Sequence, residues 1–167
     1  MADNTLTASP ATGLTPASLL ERLRTDYPAF TFETGDAFCW SPADKKIIYE
    51  EDMSGDHGLF SLLHEIGHGS LDHRRYTLDF ELVSLEVAAW EQAGVIAGNY
   101  GITLDADHVQ DCLDSYRDWL HRRAICPECT TRSLQDDSGS HYRCFNCHTT
   151  WKVPPSRFCR PYRRSAA

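Results

Sequence analysis

Leu59-Phe60-Ser61-Leu62-Leu63-His64-Glu65-Ile66-Gly67-His68 is the stretch on which the reading of this 167-residue chain turns. On a helix, His64 and His68 stand one turn apart and about 40° apart around the axis, so both imidazoles can reach one point. Glu65 lies between them. Neutral imidazoles suit a zinc ion that keeps an open position for water, and Glu65 is placed to act as general base on that water. Leu59, Phe60, Leu62, Leu63 and Ile66 make the flanks apolar, as expected of a helix buried beneath a cleft. The competing reading is two core histidines satisfied by neighbours.

A third ligand has to come from elsewhere, and the next helical stretch, Asp79 to Ala97, offers Glu81, Glu86 and Glu91. Five-residue spacing separates them by about 140° around the axis, so they cannot share a face. With Phe80 at zero, Leu82, Leu85, Ala89, Trp90, Ala93 and Ala97 centre near ~230° and Glu86 falls near ~240°, whereas Glu81 and Glu91 fall on the wet side. A carboxylate on an apolar face is costly without a compensating cation, which favours Glu86 as the ligand. A pairing of Glu86 with Arg74 or Arg75 is the alternative. His73 follows His68 by five residues with no glycine at position 71, so it does not match the His-x-x-Gly-x-x-His pattern of another zinc-peptidase branch. It is read as a surface or supporting residue.

Leu59 to Trp90 resembles the ImmA/IrrE group of zinc metallopeptidase domains, on its apolar lead-in, His-Glu-Ile-Gly-His and a later helix bearing Glu-x-x-Ala-Trp. The resemblance covers roughly Ala17 to Ala97. Where that group often has Glu-x-Glu-Ala, this chain has Glu86-Val87-Ala88-Ala89, leaving Glu86 as the acidic match. The resemblance implies a zincin-like fold and a cytoplasmic protease, a group several of whose members cleave or control transcriptional regulators.

Outward from the motif, Ala17 to Arg24 reads as a short amphipathic helix with Leu19, Leu20 and Leu23 inward. Ala29–Glu33, Ala37–Trp40 and Lys46–Glu50 read as a three-strand meander. Asp105 to Arg123 reads as a helix whose stripe is Val109, Cys112, Leu113, Tyr116, Trp119 and Leu120. The fold class expected is α+β: a small antiparallel sheet with a three-to-four-helix zincin-like core, followed by a zinc ribbon. The expected organisation is a disordered leader over 1–16, a metallopeptidase domain over 17–123, the ribbon over 124–153 and a basic tail over 154–167.

The ribbon is read from Cys126-Pro-Glu-Cys129 and Cys144-Phe-Asn-Cys147. Their 14-residue separation suits a hairpin carrying two knuckles to one tetrahedral ion. Four thiolates close the shell, so this zinc is structural and its binding helps fold the segment. The Cys144-x-x-Cys147-His148 haem motif leaves the first pair unexplained. Seven cysteines, four in such pairs, fit metal binding in a reducing compartment better than a disulfide framework. Cys39 and Cys112 are read as small buried hydrophobes.

The net charge of −8 is unevenly spread: Met1 to His121 carries 7 Lys+Arg against 21 Asp+Glu, net −14, and residues 122–167 carry 9 against 3, net +6. Arg122, Arg123, Arg132, Arg143, Lys152, Arg157, Arg160, Arg163 and Arg164, with Tyr142, Phe145 and Trp151, could grip phosphates and stack on bases. They could equally form a module docked on the acidic part. No start resembles a secretory signal and no run nears the roughly 18 apolar residues of a membrane span, so a soluble cytoplasmic protein without a membrane partner is expected.

The function expected is a zinc metallopeptidase acting on protein or peptide, with two zinc ions per chain: one catalytic on His64, His68 and Glu86, one structural on the four cysteines. The ribbon would recruit the target. One alternative is a non-catalytic, zinc-stabilised regulator that binds nucleic acid or protein. Another is a protease resembling the SprT-like group, which acts on DNA-bound proteins but uses a third histidine.

Overall fold

The computed structural model describes residues 15–53 and 55–153. Most of the expected leader and all of the basic tail, Arg157, Arg160, Arg163 and Arg164 included, lie outside these residues. Among the described residues the order is α1 (Pro16–Asp26), β1 (Thr31–Thr34), β2 (Cys39–Ser41), β3 (Lys46–Tyr49), α2 (Asp56–Ser70), α3 (Asp79–Asn99), α4 (Ala106–Ala124), β4 (Leu134–Gln135), β5 (His141–Arg143) and β6 (Thr150–Lys152). The class is α+β, with four helices and two three-stranded sheets.

Helix α1 starts where its local chemistry favours it. The Thr15 side chain accepts the Ser18 N–H at 3.2 Å. Pro16 takes the first helical position, where a missing N–H costs nothing. Leu19, Leu20 and Leu23 face inward and are buried.

The first sheet corrects the expected antiparallel meander. Its strand order is β1-β3-β2, with β1 parallel to β3 and β2 antiparallel to it. Composition explains the order. Strand β3 is the apolar one: Ile47 and Tyr49 are buried and Ile48 is half-buried, so it takes the centre, while Thr31, Glu33 and Thr34 leave β1 exposed as an edge. The chain leaves β1 directly over β3 at Gly35, where a Cβ would stand 2.6 Å from Ile48 Cγ2. A side chain there would force Ile48 to shift, so a residue read as a plain turn signal also makes a close approach to the central strand.

Helices α2 and α3 form the centre. Leu62, Leu63 and Ile66 are fully buried. Each contributes about 1.5–3 kcal/mol relative to exposure. Small residues set the distance between the two helices: a Cβ on Gly67 would collide with the Ala89 carbonyl oxygen, and Ala89 and Ala93 are themselves fully buried. Glu81 does not face this contact. Its carboxylate accepts the N–H groups of Thr77 (2.7 Å) and Leu78 (2.9 Å). Donors at the start of α3 are thereby satisfied. Helix α4 is capped by Asp105, which accepts from Asp107 N at 3.0 Å, and buries Leu113, Tyr116 and Trp119.

The second sheet, β4-β5-β6, is antiparallel and carries a small core of Ala124, Tyr142 and Val153 with Trp151 against it. No helix among the described residues is long and apolar enough to cross a membrane.

Candidate metal centres

The α2–α3 contact brings His64, His68 and Glu86 to one point. Each offers a donor atom within 4.8 Å of the others. His64 Nε2 lies 3.1 Å from His68 Nε2 and 3.1 Å from Glu86 Oε2, and His68 Nε2 lies 3.6 Å from Glu86 Oε1. Ligands at about 2.0–2.1 Å in a tetrahedron stand about 3.3–3.4 Å apart, so the triangle fits one small divalent ion. His64 and Glu86 are 4% and 6% exposed, which bears on the chemistry of the carboxylate. Burial alone pushes the Glu86 pKa up, but hydrogen bonds and charge from His64 and His68 hold it well below the usual carboxylate range. Arg74, an expected alternative partner of Glu86, pairs with Asp72 instead (2.9 Å).

Around this triangle the neighbouring side chains fix the rings. Trp90 stacks on His64 with centroids 4.3 Å apart. Glu65, 3% exposed, accepts the Trp40 backbone N–H through Oε2 at 2.7 Å. Its carboxylate is thereby held against β2. The indole N–H of the same Trp40 donates to the His73 carbonyl at 2.8 Å. His73 is half-buried, its Nδ1 is 2.8 Å from His68 Nδ1, and burial together with the charge of His68 pushes its pKa down.

The group opens on a cleft of about 880 Å³. Strand β2 forms one wall, the segment from His73 to Thr77 another, and Leu82, Leu85 and Tyr116 an apolar end; Glu65, His68 and Glu86 all line it.

The second group is Cys126, Cys129, Cys144 and Cys147, again with donor atoms within 4.8 Å of one another. Sγ–Sγ separations are 3.5 Å for Cys126–Cys147 and 3.4 Å for Cys129–Cys144. These approach the edge of a zinc tetrathiolate, roughly 3.8 Å for Zn–S bonds of about 2.3 Å. The two knuckles are built alike: Thr130 and His148, each just after a second cysteine, have φ of 59° and 61°. Cys126 and Cys144 donate their N–H groups to the Thr131 (3.0 Å) and Thr149 (2.8 Å) carbonyls. Burial pushes the Cys126 thiol up to about 11, whereas the hydroxyl and amide of Thr131 hold Cys129 down to about 5. Cys39 and Cys112, expected to be buried, are half-buried.

Composition left open whether the basic segment docks on the acidic part; the contacts that join the two regions centre on Asp79. Asp79, 3% exposed, receives Arg123 Nε (2.7 Å) and the Tyr142 hydroxyl (2.7 Å), and donates its own N–H to the Gln135 side-chain carbonyl. Burial and then Asp79 push the Tyr142 phenol well above its ordinary pKa. Trp151 stacks on Tyr142 (5.4 Å) and donates its indole N–H to the Arg123 carbonyl (3.0 Å). Arg123, Tyr142 and Trp151, read equally as nucleic-acid contacts or as part of a docked module, thus face into this joint. Exposed Phe145, Arg122, Arg132, Arg143 and Lys152 remain on the surface. The ribbon hairpin also reaches the cleft, since Gly139 is among its lining residues.

Comparison of the chain with protein-family models, with curated proteins and with solved structures found no match.

Proposed function

We propose that this chain is a zinc-dependent metallopeptidase of zincin-like, ImmA/IrrE-like type that hydrolyses peptide bonds of a protein or peptide in the reducing cytoplasm. The observation that carries the reading is the convergence of His64, His68 and Glu86 at one point of a cleft whose wall also holds Glu65. Two imidazoles and a carboxylate with one side open are the donor set of a catalytic zinc, and four thiolates are that of a structural one.

A zinc ion bound there supplies Lewis acidity toward water and a substrate carbonyl. The remaining chemistry belongs to the chain. Glu65 takes a proton from the attacking water and returns it to the departing amide nitrogen, so that one water is consumed and a carboxylate and an amine are released. The Trp40 N–H holds one carboxylate oxygen of Glu65 and so sets the orientation of the base. Trp90 stacked on His64 fixes that ring, and Leu82, Leu85 and Tyr116 give the cleft an apolar end for a substrate side chain.

Elemental analysis of purified protein tests the sites: about two zinc ions per chain are expected, falling to about one in Glu86→Ala. Glu65→Gln should retain both ions and lose turnover by about 10²–10⁴-fold. A single ion that Glu86→Ala leaves in place would sink the peptidase reading and favour the non-catalytic regulator. The SprT-like variant needs a third histidine ligand, and His73 meets His68 through Nδ1, on the side of the ring away from Glu86.

A further inference from the structure

Helix α2 ends in a particular way. Asp72 adopts φ of 52°, its N–H donates to the Gly69 carbonyl (3.0 Å), and the next N–H, of His73, donates back to the His68 carbonyl (3.0 Å). This is the paired 5→2 and 6→1 closure of a Schellman stop, with Asp72 in the left-handed position that glycine more often fills. The closure turns the chain back on itself and seats His73 beside His68. The Trp40 indole N–H, bonded to the His73 carbonyl at 2.8 Å, fixes the main chain there. The ring nitrogen of His73 that meets His68 is Nδ1, at 2.8 Å.

We propose that His73 is the positioning residue of the first metal group, acting through His68: it accepts the Nδ1 proton of that ring, so that Nε2 carries the lone pair beside His64 and Glu86. The argument is one of proton counting. A neutral imidazole has one N–H, and Nε2 can serve as a ligand only if that hydrogen is on Nδ1. His68 Nδ1–H must then donate, and His73 Nδ1 is the atom in place to accept it. Such an outer partner orients the ring and raises the basicity of the ligand nitrogen. In this chain the stop signal of the helix supplies it, which accounts for a histidine placed one residue short of the His-x-x-Gly-x-x-His spacing. The inference rests on the metal-site part of the peptidase reading and on none of its hydrolytic chemistry.

The test is cobalt binding to the full chain in competition with a chromophoric chelator. Thiolate-to-metal charge-transfer bands report the cysteine group and weaker visible bands the His-His-Glu group. His73→Phe should weaken cobalt at the first group by about 10–100-fold and leave the thiolate bands unchanged. His73→Asn places an amide oxygen close to where Nδ1 stood and should recover most of the affinity. Unchanged affinity in His73→Phe would overturn the proposal, as would equal losses in the Phe and Asn variants, which would mean only that the side chain fills space. If the unaltered chain showed thiolate bands alone, the first metal site itself would be disproved, and the proposal with it.

Discussion

The two donor groups of this molecule are held by opposite means. His64, His68 and Glu86 project from long helices whose contact is made by fully buried Leu62, Leu63, Ile66, Ala89 and Ala93, so apolar packing positions the donors. The four cysteines sit on two tight knuckles around a core of little more than Ala124, Tyr142, Val153 and Trp151. One group is a feature of a folded body. The other sits on a segment with a small apolar core, so on the proposed reading cation binding there would supply folding energy. The first group opens on a cleft and the second closes on itself, the contrast on which the proposed division between a catalytic and a structural site rests.

The largest expected effect breaks that comparison at its weaker end. Cys126→Ser removes one thiolate of a closed set, and structural zinc is worth about 10–16 kcal/mol in small zinc-dependent folds. Amide exchange should show residues 124–153 losing protection while α2 and α3 keep theirs. Equal loss in both regions would mean that the helical body depends on the ribbon for its stability.

A smaller effect is expected at the joint. Asp79 is the one carboxylate that Arg123 and Tyr142 share, 44 and 63 residues away in sequence. Asp79→Asn removes the carboxylate charge that faces Arg123, whose side chain is 13% exposed. The change should cost about 3 kcal/mol, at the low end for breaking a buried pair. Since Asp79 opens α3, the helix that carries Glu86, the variant should also weaken metal at the first group, read by the same chelator competition. Loss of stability with no change at that group would show that the ribbon leans on the body without shaping its cleft.

The same contrast explains what could be read in advance. Helical periodicity placed α1, α3 and α4 to within a few residues and put Glu86 on the inner face, because a 3.6-residue period is written locally. Paired Cys-x-x-Cys spacing is local as well. The order of the first sheet was not legible, since three short strands pair by burial and not by sequence adjacency, and the close approach at Gly35 looks like any turn. Nor was the Asp79 joint: Tyr142 and Trp151 carry the same letters whether they stack on bases or on each other. The register of β5 and β6 pairs the two across the strands, but which face meets the body is decided by residues far away in the chain.

The smallest effect concerns charge. Composition suggests a basic ribbon, yet residues 124–153 contain Arg132, Arg143 and Lys152 against Glu128, Asp136 and Asp137, and four thiolates around a divalent ion add two negative charges. The positive excess of the C-terminal segment therefore comes from Arg122, from Arg123, which is neutralised by Asp79, and from the four arginines of residues 154–167. If the chain binds nucleic acid, those four arginines should supply most of the counterion release. On single-stranded DNA, truncation after Val153 should lower the salt slope by up to about 3, at about 0.7 per phosphate contact. A slope unchanged by truncation would return the binding surface to Arg132, Arg143, Lys152 and exposed Phe145, and would make the closed metal group a platform for a partner as well as a fold.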